Sequence, residues 1–148
     1  MTQLPLLRAS LACAASLVLA ACVPSTQTPS TTPSAPMPGD VPGASYARLG
    51  ESVYVDGPKV TPLEVLEDSR CPTDVQCIQA GQVRLKVRID LGSGSQMRIF
   101  TLPGKDGSNV QHIADGAMEL ISVTPERTSS EALALANYRF GFTFAGGL

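Results

Sequence analysis

The most regular pattern in the sequence alternates apolar and charged residues from Val83 to Leu91. Every second residue of this segment is apolar, and the residues between them are charged: Arg84, Lys86, Arg88 and Asp90. Because successive side chains of a strand point to opposite faces, the pattern predicts a strand with one buried face and one solvated face. The row of cations is either a solvated face that discourages edge pairing or a surface that attracts an acidic partner.

Turn residues divide the neighbouring sequence into further short strands. The Gly and Ser residues at 92–95 predict a turn, so that Gln96–Leu102 returns as the hairpin partner of the first strand. Three other segments have strand character: Glu51–Val55, Val60–Glu67 and Ala117–Thr124. Pro62 has no backbone N–H to donate, which predicts that the strand containing it lies at an edge or has a bulge there.

The last predicted strand carries most of the aromatic residues. Tyr138, Phe140, Phe142 and Phe144 alternate with other residues and are four of the seven aromatic residues in the chain. They form either a large part of the core or an exposed binding platform. The core is favoured, because aromatic rings bury large areas in a small domain. The preceding segment, 129–136, is either a loop or one helical turn.

These elements together predict an all-β domain. Short strands, Gly and Pro turns and the absence of a long helical pattern are typical of a small antiparallel β-sandwich or barrel. The predicted domain covers residues 46–148, about one hundred residues, which is an ordinary size for one domain.

An N-terminal segment typical of exported proteins precedes this domain. Met1–Arg8 carries one positive charge, Ala9–Ala20 is apolar, and small residues stand before Cys22. The apolar run is too short to span a bilayer and is typical of a secretory signal peptide. Its last residues, Leu19-Ala20-Ala21-Cys22, resemble the lipobox of bacterial lipoproteins.

The lipobox resemblance implies a membrane anchor. Residues 1–21 would be removed as a signal peptide, and Cys22 would carry diacylglycerol on its sulfur and an acyl group on its new amino terminus. Val23 is not the Asp that retains many lipoproteins in the inner membrane, so the resemblance implies the outer membrane, facing the periplasm. The alternative is an ordinary cleaved signal peptide that leaves a free Cys22 thiol.

Residues 22–45 comprise the lipidated Cys and a linker rich in Pro, Ser and Thr. Such a composition has too few large apolar side chains to offset the entropy of the chain, so the sequence predicts a disordered tether between the membrane and the domain.

Removal of Cys13 with the signal peptide and lipidation of Cys22 leave two cysteines, Cys71 and Cys77. Exported proteins fold in an oxidising compartment, and this spacing brings two Cα atoms within the separation that a disulfide requires. We therefore expect one disulfide that staples the domain. Use of the two thiols for a soft metal or for redox chemistry is the alternative.

The expected ring also defines a candidate recognition loop, which consists of Arg70, Pro72, Thr73, Asp74 and Val75. A rigid loop loses little entropy when it binds. The structural interpretation is that Asp68 and Asp74 accept hydrogen bonds from turn amides and that Arg70 pairs with one of them.

The stretch DSRCPTDVQCIQAG, from Asp68 to Gly81, is similar to a motif of a group of small bacterial exported proteins and lipoproteins. Their motif reads D-S-R-C-P, then a Cys preceded by V-x, then I/V-W-A-G. The resemblance covers about Val60–Leu91 and implies no established biochemical activity. This chain departs from the motif at Gln79, where members of the group often have Trp.

Charge and composition narrow the function. Without Arg8 the chain has ten basic and thirteen acidic side chains, which provides no basic field for nucleic acid. His112 is the only histidine and has no nucleophile motif beside it, so the sequence predicts no enzyme, no metal site and no cofactor. It predicts a lipid-anchored binding or structural module with a protein partner in the cell envelope. The alternative is an inhibitor of an exported hydrolase that inserts the Cys71–Cys77 loop.

Overall fold

Eight strands form two four-stranded antiparallel sheets in the computed structural model, which describes residues 37–146. The strands are β1 (Ser45–Arg48), β2 (Val53–Tyr54), β3 (Lys59–Asp68), β4 (Val83–Asp90), β5 (Ser95–Leu102), β6 (Val110–Ile113), β7 (Gly116–Thr124) and β8 (Arg139–Ala145). The first sheet has the order β1-β8-β7-β6, and the second sheet has the order β2-β3-β4-β5. The predicted all-β, sandwich-like class is confirmed.

Strand β4 has the predicted two faces. Its apolar side chains Val83, Leu85, Val87 and Ile89 are fully buried, while its charged side chains remain partly exposed. The hairpin with β5 is also confirmed, because the pairing runs continuously from Asp90 opposite Ser95 to Val83 opposite Leu102. However, β4 lies between β3 and β5. Its cations therefore do not protect a sheet edge.

The aromatic residues of β8 fill the space between the sheets. Tyr138, Phe140 and Phe142 are buried, and Phe144 packs against the core from its rim. Phe142 meets Phe100 of the second sheet edge to face, with 5.9 Å between the ring centroids. This is a favourable geometry for aromatic pairs, and it confirms the core interpretation of the alternating aromatics.

Two bulges shape β3. The register with β4 shifts between Pro62 and Glu64 and again between Val65 and Glu67. Each bulge sets two residues of β3 against one residue of β4, which adds Leu63 and Leu66 to the strand. The bulge predicted from Pro62 is confirmed.

The two sheets meet along both sides of the sandwich. On one side Ser45 Oγ donates to the Tyr54 carbonyl oxygen (2.8 Å). On the other side the Thr101 N–H donates to the Ser108 carbonyl oxygen (3.0 Å), and Gln111 Nε2 donates to the Ile99 carbonyl oxygen (3.2 Å). These bonds satisfy backbone groups at strand edges that would otherwise be open to pairing with other chains.

Residues before β1 cover part of the outer face of the first sheet. Asp40 forms an ion pair with Arg139, whose guanidinium lies 4.2 Å from the centre of the Tyr46 ring. The Tyr46 hydroxyl accepts a hydrogen bond from the Val41 N–H (2.7 Å). A Cβ atom on Gly141 would come within 2.7 Å of the Tyr46 ring, so only glycine leaves room for this arrangement.

These contacts fall within residues 22–45, which the sequence analysis assigned to the linker. β1 begins at Ser45, and the Met37 N–H already donates to Asp40. Polar composition did not reveal them, because they depend on Arg139, about one hundred residues away in sequence. The signal peptide, Cys13 and Cys22 lie outside the described residues.

The longest connections project from one end of the sandwich, which we call the disulfide end: 69–82 between β3 and β4, 103–109 between β5 and β6, and 125–138 between β7 and β8. In the third of these, the expected choice between a loop and a helical turn resolves into a loop with a short 3₁₀ turn at Leu135–Asn137. Within residues 37–146, no helix is long and apolar enough to cross a membrane.

Candidate recognition site

The connection between β3 and β4 contains the expected disulfide. Cys71 and Cys77 are bonded, with 6.0 Å between their Cα atoms. The bond closes a small ring at the disulfide end, outside the hydrophobic core. The pairing predicted from the sequence is present in the structure.

An ion pair at the base of the ring fixes where the loop begins. Asp68, the last residue of β3, accepts from Arg70 Nε at Oδ1 (2.9 Å) and from Arg70 Nη2 at Oδ2 (2.7 Å). The Asp68 Oδ1 atom also accepts from the Arg70 backbone N–H (3.2 Å). Arg70 Nη1 then donates to the carbonyl oxygen of Val123 in β7 (2.9 Å). The two side chains therefore connect the second sheet to the first.

Tyr138, the residue just before β8, completes this cluster. Its hydroxyl donates to Asp68 Oδ2 (2.7 Å). Burial opposes ionisation of Asp68, but the hydrogen bonds and positive charge of Arg70 together with the Tyr138 hydroxyl outweigh it, and the pKa of Asp68 is lowered. Burial and the neighbouring Asp68 carboxylate raise the pKa of Tyr138 to about 12. At neutral pH Asp68 is therefore charged and Tyr138 is a hydrogen-bond donor.

A second arginine joins the ring to the neighbouring loop. Arg127 Nη1 donates to the carbonyl oxygens of Asp68 (3.1 Å) and Arg70 (3.4 Å). Its Nη2 donates to the carbonyl oxygens of Ser130 (2.9 Å) and Glu131 (3.3 Å). One guanidinium thus satisfies four backbone carbonyl groups in two loops.

The ring itself also bonds to this neighbouring loop, since the Thr73 N–H donates to the Arg127 carbonyl oxygen (3.0 Å). No pattern in the sequence indicates this role for Arg127, which stands in an unpatterned polar segment.

The residues proposed as a recognition loop divide into two groups. Arg70 is held in the ion pair and Pro72 is buried, so these two residues face the body of the protein. Thr73, Asp74 and Val75 are exposed. Of the two aspartates, Asp68 forms the pair with Arg70, in agreement with the structural interpretation of that arginine.

The most exposed apolar residue of the described chain follows the ring. Ile78 is 102% exposed and Val75 is 50% exposed. Sequence reasoning overlooked Ile78 because a single apolar residue in a polar segment has no periodicity. Gln79, where the similar group often has Trp, is also exposed. A Trp at this position would therefore lie on the same surface as Ile78.

A polar groove of about 440 Å³ lies beside the loop, between the 79–82 segment and Pro103 and Lys105. Its wall includes Glu67, which accepts hydrogen bonds from Ser69 (2.8 Å) and Gln82 (3.2 Å). The hydrogen bonds from Ser69 and Gln82 lower the pKa of Glu67. The disulfide end therefore combines a convex apolar point with an adjacent polar groove, an arrangement suited to contact with another molecule.

Residues 37–146 contain no group of three or more His, Cys, Asp and Glu side chains placed to hold a metal ion. His112 is exposed on β6, in the first sheet. No protein-family profile, curated protein or solved structure matches this chain.

Replacing Cys71 and Cys77 together with Ser should lower the free energy of unfolding by about 2 kcal/mol, because the small ring restricts the unfolded chain. Urea unfolding of the mature protein measures this change, and Val75→Ser, an exposed change inside the same ring, is the control. Thiol titration of the protein with its native sequence should find two more thiols after reduction than before it. Two reactive thiols before reduction would refute the pairing.

Asp68→Asn should lower the free energy of unfolding at pH 7 by about 3 kcal/mol, because it leaves the Arg70 guanidinium without its partner. The pKa of Asp68 is lowered by folding, so its stabilisation is present above the unfolded-state pKa near 3.8 and is lost as the pH falls through the folded-state value. The stability difference between the native protein and Asp68→Asn should therefore shrink below pH 4. The exposed Asp74→Asn serves as control. A difference that stayed constant from pH 7 to pH 2 would contradict this role of Asp68.

Proposed function

We propose that this protein is a lipoprotein of the bacterial cell envelope, anchored to a membrane through lipid on Cys22. The proposal rests on the order of the N-terminal features: an apolar run, the small residues Ala20 and Ala21, and then Cys22. The disulfide between Cys71 and Cys77 supports it, because such bonds persist in oxidising compartments outside the cytosol. The proposed location is the outer membrane, facing the periplasm.

We further propose that the domain is a binding module without catalytic activity and that its disulfide end contacts a protein partner in the envelope. One observation carries this proposal: the 69–82 connection, which adds nothing to the core, is fixed by a disulfide and two arginines, yet it carries the fully exposed Ile78. A rigid apolar point loses little entropy on binding and fits the kind of pocket in which interface energy concentrates.

An inhibitor of an exported hydrolase is the second candidate function. The observation that favours it is the projection of the ring residues Thr73, Asp74 and Val75 from a braced base. Such a loop would enter an active-site cleft without rearrangement. The two candidates differ in what the captured partner does, since an inhibitor reduces the activity of the enzyme that it binds.

Cys22→Ala should abolish incorporation of radiolabelled fatty acid into the protein in its bacterial host, because Cys22 is the proposed site of acylation. Labelling followed by immunoprecipitation measures this, and fractionation should show release of the processed variant from the membrane. Cys13→Ala, a change inside the proposed signal peptide, should retain the label. Equal labelling of Cys22→Ala and the native protein would contradict the lipid anchor.

Ile78→Ser should reduce capture of the proposed partner from an envelope extract by about 10-fold or more, the loss typical of a central interface residue. Quantitative mass spectrometry compares the immobilised native protein with this variant. Val41→Ser, which changes another exposed apolar side chain and leaves the Val41 backbone bond to Tyr46 in place, is the matched control.

The same proteins captured in equal amounts by the native protein and Ile78→Ser would overturn the role of the loop. Adding the purified protein to the extract separates the two functions: loss of one hydrolytic activity in proportion to the protein added favours the inhibitor, and unchanged activities favour the binding module.

A further inference from the structure

The outer face of the second sheet is unusually apolar for a solvated surface. It carries five of the ten exposed large hydrophobic side chains of the described residues: Tyr54, Leu63, Leu66, Met97 and Ile99. Tyr54 pairs with Lys59 on the outward side of β3, and the two bulges of β3 place Leu63 and Leu66 beside the outward-facing Glu64 and Glu67. The charged side chains of β3 and β4 lie between Tyr54 and the two residues of β5, so the face mixes apolar and charged side chains.

Strand β5 contributes to this face by reversing the expected pattern. Met97 stands opposite Arg88 and Ile99 opposite Lys86, so both apolar side chains point outward. The intervening Arg98 stands opposite the buried Val87 and is only partly exposed. In a sandwich strand that faced only water, the polar residues would point outward and the apolar residues inward.

Charged side chains on the same face form two parallel columns. Glu64 and Glu67 lie along β3, and Arg84, Lys86 and Arg88 lie along β4. The ion pairs between the two columns are long: Lys86 Nζ is 3.8 Å from Glu64 Oε2, and Arg84 Nη1 is 4.0 Å from Glu67 Oε2. Glu67 also accepts the hydrogen bonds from Ser69 and Gln82, and Arg88 Nε lies 3.4 Å from Asp90 Oδ2. Exposed ion pairs of this length contribute little stability, so Glu64, Arg84 and Lys86 can exchange them for pairs with a partner.

We propose that this face binds the same face of a second copy of the chain. A twofold axis parallel to the strands, between β3 and β4, would place the acidic column of each copy over the basic column of the other. Because the axis runs along the strands, Glu64 of one copy would meet Lys86 of the other, and Glu67 would meet Arg84. The same rotation would bring β5 over the edge formed by β2, where the register puts Tyr54 level with Ser95, two residues before Met97. The face is therefore complementary to itself in charge.

The opposite side of the sandwich does not offer the same surface. Residues of the segment before β1 lie against the outer face of the first sheet through Asp40, Tyr46 and Arg139. The strands of this sheet have 2, 10, 8 and 8 residues and cover roughly 450 Å² of plane, so a dimer would bury on the order of 900 Å² in total, in the range of weak and transient interfaces. We therefore expect a weak dimer with a dissociation constant in the micromolar range. This inference is independent of the proposed lipid anchor and of the role of the disulfide loop.

Sedimentation equilibrium of the mature chain tests the proposal, with Cys22→Ser so that lipid does not drive association. The native sequence should form a dimer with increasing concentration. The double variant Glu64→Lys/Glu67→Lys and the double variant Arg84→Glu/Lys86→Glu should each dimerise at least 10-fold more weakly, because like charges would then face each other. An equimolar mixture of the two variants should recover the dimer, since each altered column would face a column of opposite charge in the other chain.

This recovery distinguishes an interface from a folding defect, because mixing cannot repair contacts within one chain. Asp74→Lys/Asp106→Lys, two acid-to-base changes at exposed positions away from this face, should dimerise as the native sequence does. A protein that stays monomeric up to about 1 mM would overturn the proposal. So would a mixture that stays monomeric, or binding of the monomer to vesicles of anionic lipid through Lys86 and Ile99, which would assign the face to a membrane surface.

Discussion

The ion pair between Asp68 and Arg70 is the interaction on which the disulfide end depends. It starts at the last residue of the second sheet and reaches the first sheet through the Val123 carbonyl group and the Tyr138 hydroxyl. The cost of removing both charges from water is offset by several hydrogen bonds to each, which is the condition under which a shielded pair is stable. Because the pair joins both sheets, the direction in which the 69–82 loop leaves the sandwich is set by the packing of the whole domain.

The other constraints on this loop act at different levels of the structure. The disulfide restricts the unfolded chain, whereas Arg127 ties the folded ring to the 125–138 connection by satisfying carbonyl groups in both segments. The exposed Val75 and Ile78 are thus carried on a short, cross-linked support rather than on a free loop. The polar groove beside them is held by the same part of β3, because its lining residue Glu67 directly precedes Asp68 of the ion pair.

Local patterns predicted the elements, and long-range contacts determined the surfaces. The alternation in β4, the aromatic residues of β8 and the spacing of the two cysteines each reflect one segment, and each was readable from the sequence. Arg70 bonds to Asp68, two positions away, and turns inward. Arg127 bonds to carbonyl groups 57 and 59 positions away, and Asp40 pairs with Arg139, 99 positions away. Only the first lies within one motif, and its orientation still depends on Val123 and Tyr138. The outward apolar residues of β5 were also hidden, because period two does not reveal which face is the inner one.

The segment before β1 has a mechanical consequence. Any force that reaches the domain along the chain from its N-terminal side acts first on the Asp40–Arg139 pair and the Val41–Tyr46 hydrogen bond. These contacts lie on the outside of the first sheet, so they can break while the β1–β8 ladder and the core beneath it stay intact. Their release would lengthen the reach of the domain by several residues of extended chain, at about 3 Å each. Under such a force, the contacts on the outer face of the first sheet would be lost before the strand pairing beneath them.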